Sequence, residues 1–165
     1  MSVVGEIFAT WRHPDGPVGR LLSAGPREDR SLVILIAAAV FMFIARTPDL
    51  ARRAALNPEV PLQAHMGITL FVMLFLIPIL AYAVAMISHW LMKALGRDGA
   101  AYGARVVLFW AMLAVVPGLL LHGLLSGIVG GEAAGTRMVG LAVFAAFLWF
   151  WGRGLQLAYR TREPE

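Results

Sequence analysis

The sequence predicts an all-α fold: a polytopic transmembrane helical bundle of four spans, preceded by a short N-terminal amphipathic helix at the membrane interface. The first observation behind this is composition. The 165 residues are 59% hydrophobic and only 15% charged, with a mean hydropathy of +0.74. A soluble domain of this length buries too little of its surface to hide so much apolar side chain. A bilayer removes the difficulty by solvating apolar faces directly. The second observation is segmentation. Apolar residues gather in four runs, near 31–48, 66–91, 106–129 and 138–158. The chain therefore divides into an N-terminal segment, 1–30, a four-helix membrane domain, 31–160, and a short tail, 161–165. The third observation is the placement of basic residues, which is uneven between alternate loops.

The N-terminal segment lacks the pattern of a cleavable signal, which needs a basic start, an apolar run and a small-residue site. It holds Glu6, Asp15, Glu28 and Asp29 and no apolar run of adequate length. Val3, Val4, Ile7, Phe8 and Trp11 recur at helical spacing, so residues 2–12 form a helix with one apolar face. Trp11 and Arg12 suit a headgroup region. That helix lies on the membrane or packs on the protein's own cytoplasmic loops. HPDGP at 13–17 reads as a turn.

Crossing a hydrocarbon core of about 30 Å takes about 20 helical residues. The last three runs meet that length. The first, Ser31 to Ala45, is short and lies between Arg30 and Arg46. It crosses if Arg46 extends its head to the interface and the helix continues to Pro48, because long basic side chains snorkel. A re-entrant or interfacial helix is the alternative. The loop from Arg46 to His65 is punctuated by Pro48, Pro58 and Pro61, with LARRAAL able to form a short helix between them. GGEAAGT makes the third loop. Pro78 and Pro117 fall inside the second and third runs, where each removes a backbone donor and predicts a kink. Such a kink serves either packing or a hinge.

Orientation follows from the basic residues. Arg12, Arg20, Arg27, Arg30, Lys93, Arg97, Arg105, Arg153, Arg160 and Arg162 give ten on one side, against four for Arg46, Arg52, Arg53 and Arg137. The positive-inside rule puts both termini in the cytoplasm. Without a first crossing the count becomes eight against six. In a chain of this kind the net charge of +4 is a topology signal, and no nucleic-acid partner is expected.

Candidate site residues are few. With no cysteine, disulfides and thiolate chemistry are excluded. His65, His89 and His122 lie at different depths, so no pair can face one haem. None has a carboxylate or second histidine at i+3 or i+4 to build a metal site. No cofactor or metal is expected. His122, roughly 7–8 Å outward of the third run's centre, is the candidate intramembrane polar site. Arg105, beside Tyr102, opens the third run and is a candidate for an anionic headgroup or a partner carboxylate. Trp11, Arg12, Tyr102 and Arg105 together form the expected lipid or partner contacts. Gly123 and Gly127 make a small-xxx-small pair for helix packing, as do Ala81/Ala85 and Ala142/Ala146. Trp149, Phe150 and Trp151 beside Arg153 form an aromatic belt with a basic stop. No Asp or Glu falls inside the four runs, and no phosphate loop, HExxH or GxSxG occurs. A hydrolase or coupled pump is therefore disfavoured.

Several stretches resemble a known family. They are Trp11-Arg12-His13-Pro14, the RSL at 30–32, R-x-P-x-L-x-R-x-A from Arg46 to Ala54, and PILAYAVA at 78–85 followed by His89. The most specific is AYGARVVLFWAMLAVVPGLLLHGLLSGIVG at 101–130. Over most of its length the chain resembles the small YIP1-family membrane proteins of alphaproteobacteria. The resemblance implies a bundle of four or five membrane helices with a cytoplasmic N-terminus in a bacterial inner membrane. The eukaryotic branch is implicated in vesicle trafficking, but its acidic DLYGP-type motif is absent here. The resemblance supplies no catalytic residues. The expected role is a non-enzymatic accessory, scaffold or membrane-organising protein whose partners are membrane lipids and other membrane proteins. A small channel or transporter is the alternative. A lipid enzyme would lack a nucleophile or metal cluster. Oligomeric state is not legible.

Overall fold

In the computed structural model the described residues are 3–160, and all regular structure among them is helical. The predicted tail, 161–165, lies outside them. The N-terminal segment forms two helices, α1 (Val3–Arg12) and α2 (Asp15–Ser23). The turn expected over 13–17 is confined to His13 and Pro14. Asp15, Gly16 and Pro17 instead open α2, because an acid suits the positive helix N-terminus and an early proline forfeits no intrahelical bond.

The first span is longer than its apolar run. α3 covers Glu28–Leu56, 29 residues, and passes through Arg46, Pro48 and LARRAAL without a break. At Pro48 the carbonyl that loses its donor is that of Ile44. The Thr47 hydroxyl donates to it at 2.8 Å, which replaces the missing bond locally. The short loop helix expected between Pro48 and Pro58 is thus the end of α3, and only residues 57–61 link it to the next element.

The second run is α4 (Leu62–Phe71), a π-helical turn (Val72–Leu76) and α5 (Ile77–Ala94). The π turn comes directly before Pro78, so the expected kink appears as a locally widened helix. The third run is the one that breaks. α6 (Ala101–Ala114) and α7 (Val116–Ile128) are bent by 42° at Val115, two residues before Pro117. α8 (Ala134–Ala158) closes the bundle. Three helices are therefore continuous and apolar enough to cross a membrane, and the α6–α7 pair makes a fourth span if its two halves count as one.

α6 is the central helix. All of its residues from Tyr102 to Ala114 are buried except Arg105, because α3, α5, α8 and the two N-terminal helices surround it. α3 runs parallel to α6–α7, from Glu28 beside Arg105 to Pro48 beside Gly127. α8 runs antiparallel to the pair: a Cβ at Gly103 would meet Ala158, one at Gly118 would meet Val143, and one at Gly140 would meet His122. Large apolar side chains point outward from α3, α4–α5 and α8, including Phe41, Phe71, Phe75, Ile79, Phe144 and Trp149. A surface this apolar marks contact with lipid.

Candidate functional site

The N-terminal helix is docked on the bundle through its polar atoms. Thr10 is fully buried; its hydroxyl donates to the Glu6 carbonyl at 2.8 Å and accepts from the Trp110 indole at 3.1 Å. The Trp11 indole donates to the Ala114 carbonyl at 2.9 Å, and its ring meets Phe150 edge-on at 5.3 Å. Ala114 is the last residue of α6, where helical carbonyls lack an intrahelical partner. Trp11 thus supplies a donor at the break in the third span. The opposite face of α1 stays open. Val4, Phe8 and Trp11 are 62%, 61% and 43% exposed, and Arg12 is exposed beside them. Of the two alternatives for this helix, its Ile7–Thr10 side packs on the protein and its Val4–Phe8–Trp11 side faces outward.

Tyr102 and Arg105 turn inward. Tyr102 is buried and donates to the Arg27 carbonyl at 3.5 Å. Arg105 is ion-paired with Glu28, and its side chain is only 22% exposed. The carboxylate that meets Arg105 belongs to the chain itself, and both residues tie α6 to the start of α3 rather than opening toward lipid.

Gly123 and Gly127 sit on the α3–α7 seam. A Cβ at Gly123 would fall on the Ala45 carbonyl, and one at Gly127 would lie 2.6 Å from Pro48. Arg52 then caps the far end of α7, donating to the Ile128 carbonyl at 3.0 Å and the Gly127 carbonyl at 3.4 Å. The R-x-P-x-L-x-R-x-A stretch is therefore the α3 side of this seam at the C-terminal end of α7. His122 is half-buried with its Nε2 over Gly140, whose missing side chain makes the room. It makes no hydrogen bond among the described residues.

Two features had no counterpart in the sequence expectations. His89 Nδ1 lies 2.6 Å from the Tyr159 hydroxyl, which donates to the Ala100 carbonyl at 3.2 Å. A carbonyl can only accept, so the phenol spends its proton there and His89 Nδ1–H is the donor. Tyr159 is fully buried against Gly99, where any side chain would strike its ring. Burial pushes its pKa up, partly opposed by Arg105. The second feature is Asp49. Because α3 continues past the apolar run, it carries a carboxylate that is only 6% exposed. Arg53 Nε is 2.9 Å from it and Arg46 4.0 Å. A notch of about 290 Å³ beside this trio is lined on its other side by Thr69 of α4 and by Val72 and Met73 of the π turn. The absence of carboxylates from the apolar runs thus does not extend to the helices that contain them.

Two more cavities open on the surface. An apolar cleft of about 380 Å³ between α5 and α8 is lined by Leu80, Val84, Met112, Phe147 and Trp151 among others. A polar notch of about 360 Å³ lies between α2, the α5–α6 loop and the end of α8, with Asp15, Arg97, Arg153, Gln156 and Arg160 around it. Among the described residues no group of three His, Asp or Glu side chains converges to hold a metal.

Outward-facing apolar helices, an inward central helix and apolar stretches free of charged side chains define a multi-pass α-helical membrane protein. The family model described as the Yip1 domain matches residues 8–164, and the chain belongs to that family. No curated protein and no solved structure matches it.

Proposed function

We propose that this protein is a non-enzymatic accessory or scaffold protein of the bacterial inner membrane, with both termini cytoplasmic, acting through lipid and helix contacts. The observation that carries this reading is α1. Its inner face is fastened to α6 by Thr10 and Trp11, while Val4, Phe8, Trp11 and Arg12 present an outward apolar stripe with a cation at its end. Because Trp11 is held at Ala114, deep along α6, that stripe suits lipid acyl chains or a partner helix, with Arg12 reaching toward the polar end. The other contact surfaces are helix faces rather than convergent reactive groups. Purification of the full chain in mild detergent, with identification of what co-purifies, is the test. Specific membrane-protein partners retained by the native chain and lost on Phe8→Glu support the reading; a monodisperse protein with no partner contradicts it.

Asp49 favours a second reading, a small channel or transporter. A buried, arginine-flanked carboxylate beside a π turn is a feature such proteins use. Solute or ion flux into liposomes that is abolished by Asp49→Asn or His122→Ala would replace the scaffold reading.

A further inference from the structure

We infer that the notch between α2, the α5–α6 loop and the end of α8 binds a phosphoglycerol group, a phosphodiester carrying free hydroxyls. This deepens the lipid-contact reading above and rests on it. Three guanidinium groups, Arg97, Arg153 and Arg160, line the notch against one carboxylate, Asp15. Arg153 is committed: it lies 2.6 Å from Asp15 Oδ2 and 5.9 Å from the Trp149 ring centroid. The side chains of Arg97 and Arg160 form no ion pair or hydrogen bond among the described residues, and both residues are exposed. Two free planar forks over one cavity of about 360 Å³ suit a phosphate, which guanidinium binds in bidentate fashion.

The remaining polar atoms select what the phosphate carries. Asp15 Oδ1 is closed off from solvent, so the acceptors a ligand hydroxyl meets are the exposed side of this carboxylate, whose Oδ2 Arg153 holds, and the Gln156 amide oxygen. A carboxylate oxygen accepts only, so it rejects a phosphate oxygen and takes a hydroxyl proton. Gln156 adds an amide that both donates and accepts. The notch thus asks for an anion with a hydroxyl donor nearby. A phosphoglycerol offers both, phosphocholine brings a cation and no hydroxyl, and a bare phosphate monoester lacks the hydroxyl arm. Position agrees with a headgroup. Arg153 lies one turn beyond the outward Trp149 on α8, and Arg160 follows the end of that helix, so the notch lies at the basic end of α8.

The test is native mass spectrometry of the full chain in detergent, loaded with phosphatidylglycerol, phosphatidic acid or phosphatidylcholine. The expected order of retention is phosphatidylglycerol, then phosphatidic acid, then phosphatidylcholine. Replacing Arg97→Ala and Arg160→Ala together weakens phosphatidylglycerol binding by on the order of fivefold per arginine, whereas Arg137→Ala leaves it unchanged. Free glycerophosphoglycerol, a soluble diester with the same headgroup, separates the sources: displacement at comparable concentration makes the ligand a soluble ester, and failure to displace makes it a lipid. Equal retention by the double variant, equal retention of phosphatidylcholine, or an equal loss in Arg137→Ala overturns the inference. The double variant is also carried through the co-purification experiment. Partners retained without the lipid preference leave the scaffold reading standing and remove only the notch.

Discussion

Trp11 and Tyr159 each show how one polar atom on a large apolar side chain fixes an element. A tryptophan N–H or tyrosine O–H turned into the protein needs a partner, and here the partners are the backbone carbonyls at the two ends of α6, Ala114 and the N-cap Ala100. Trp11→Phe keeps the edge-on contact with Phe150 but removes the donor. The expected cost is about 1 kcal/mol, read as faster amide exchange in α1 and at the end of α6 with the rest of the bundle unchanged. Tyr159 gives a pH dependence. Its pKa is raised by burial above the usual value of about 10. An acid raised in this way contributes its full stability below its unfolded pKa and loses it as pH rises toward the folded one. Thermal stability in detergent should therefore hold up to about pH 10 and fall above it, with a shallower fall in Tyr159→Phe. Trp11 was legible as the end of an apolar stripe, but its bond to the Ala114 carbonyl was not. Tyr159 was not, because its burial depends on Gly99, a loop residue 60 positions away whose only signal is the lack of a side chain.

At the scale of elements, the sequence located the apolar runs well and the helices less well, because hydropathy and helix formation are separate properties. The hydropathy of the first run ends at Arg46. The helix does not: Ala, Leu and Arg are strong helix formers, and Asp49–Arg53 is an i,i+4 ion pair. The third run is the reverse case. It is apolar throughout, yet VVPG at 115–118 joins two β-branched residues to proline and glycine and bends the path by 42°. What steadies the bent pair is the α3–α7 seam. Gly123→Ala would push a methyl group onto the Ala45 carbonyl, and overpacking of this kind costs about 1–3 kcal/mol. The measured melting temperature should drop. Gly67→Ala has open space around it and should leave stability equal or slightly higher. Similar losses for both would mean that α3 and α7 are not in contact. Gly123 and Gly127 were legible as packing residues from spacing alone; their partner was not, since small-residue spacing names one side of a contact only.

For the molecule as a whole, the arrangement is a lipid-facing shell around α6, with the N-terminal helices closing one end of the gap. The Yip1 domain match covers α2 to α8 and the second half of α1, so the docking residues Thr10 and Trp11 fall inside the family unit. The overall bundle was the most legible level, because it follows from composition and run length. The sites were the least legible: Arg105 finds Glu28, Arg52 finds the end of α7, and Asp49 is drawn into a helix that hydropathy had ended. Each pairing joins residues far apart in the chain or across a boundary set by another property.

The four-crossing arrangement is the claim on which the rest depends, and the chain is well suited to testing it because it contains no cysteine. Single cysteines at the exposed positions Ser23, Asn57, Asp98 and Glu132 sample the four connections. An impermeant maleimide applied to intact cells should label Asn57→Cys and Glu132→Cys, and should reach Ser23→Cys and Asp98→Cys only after the membrane is permeabilised. Labelling of Ser23→Cys and Asn57→Cys from the same side would show that α3 does not cross, and would contradict the account.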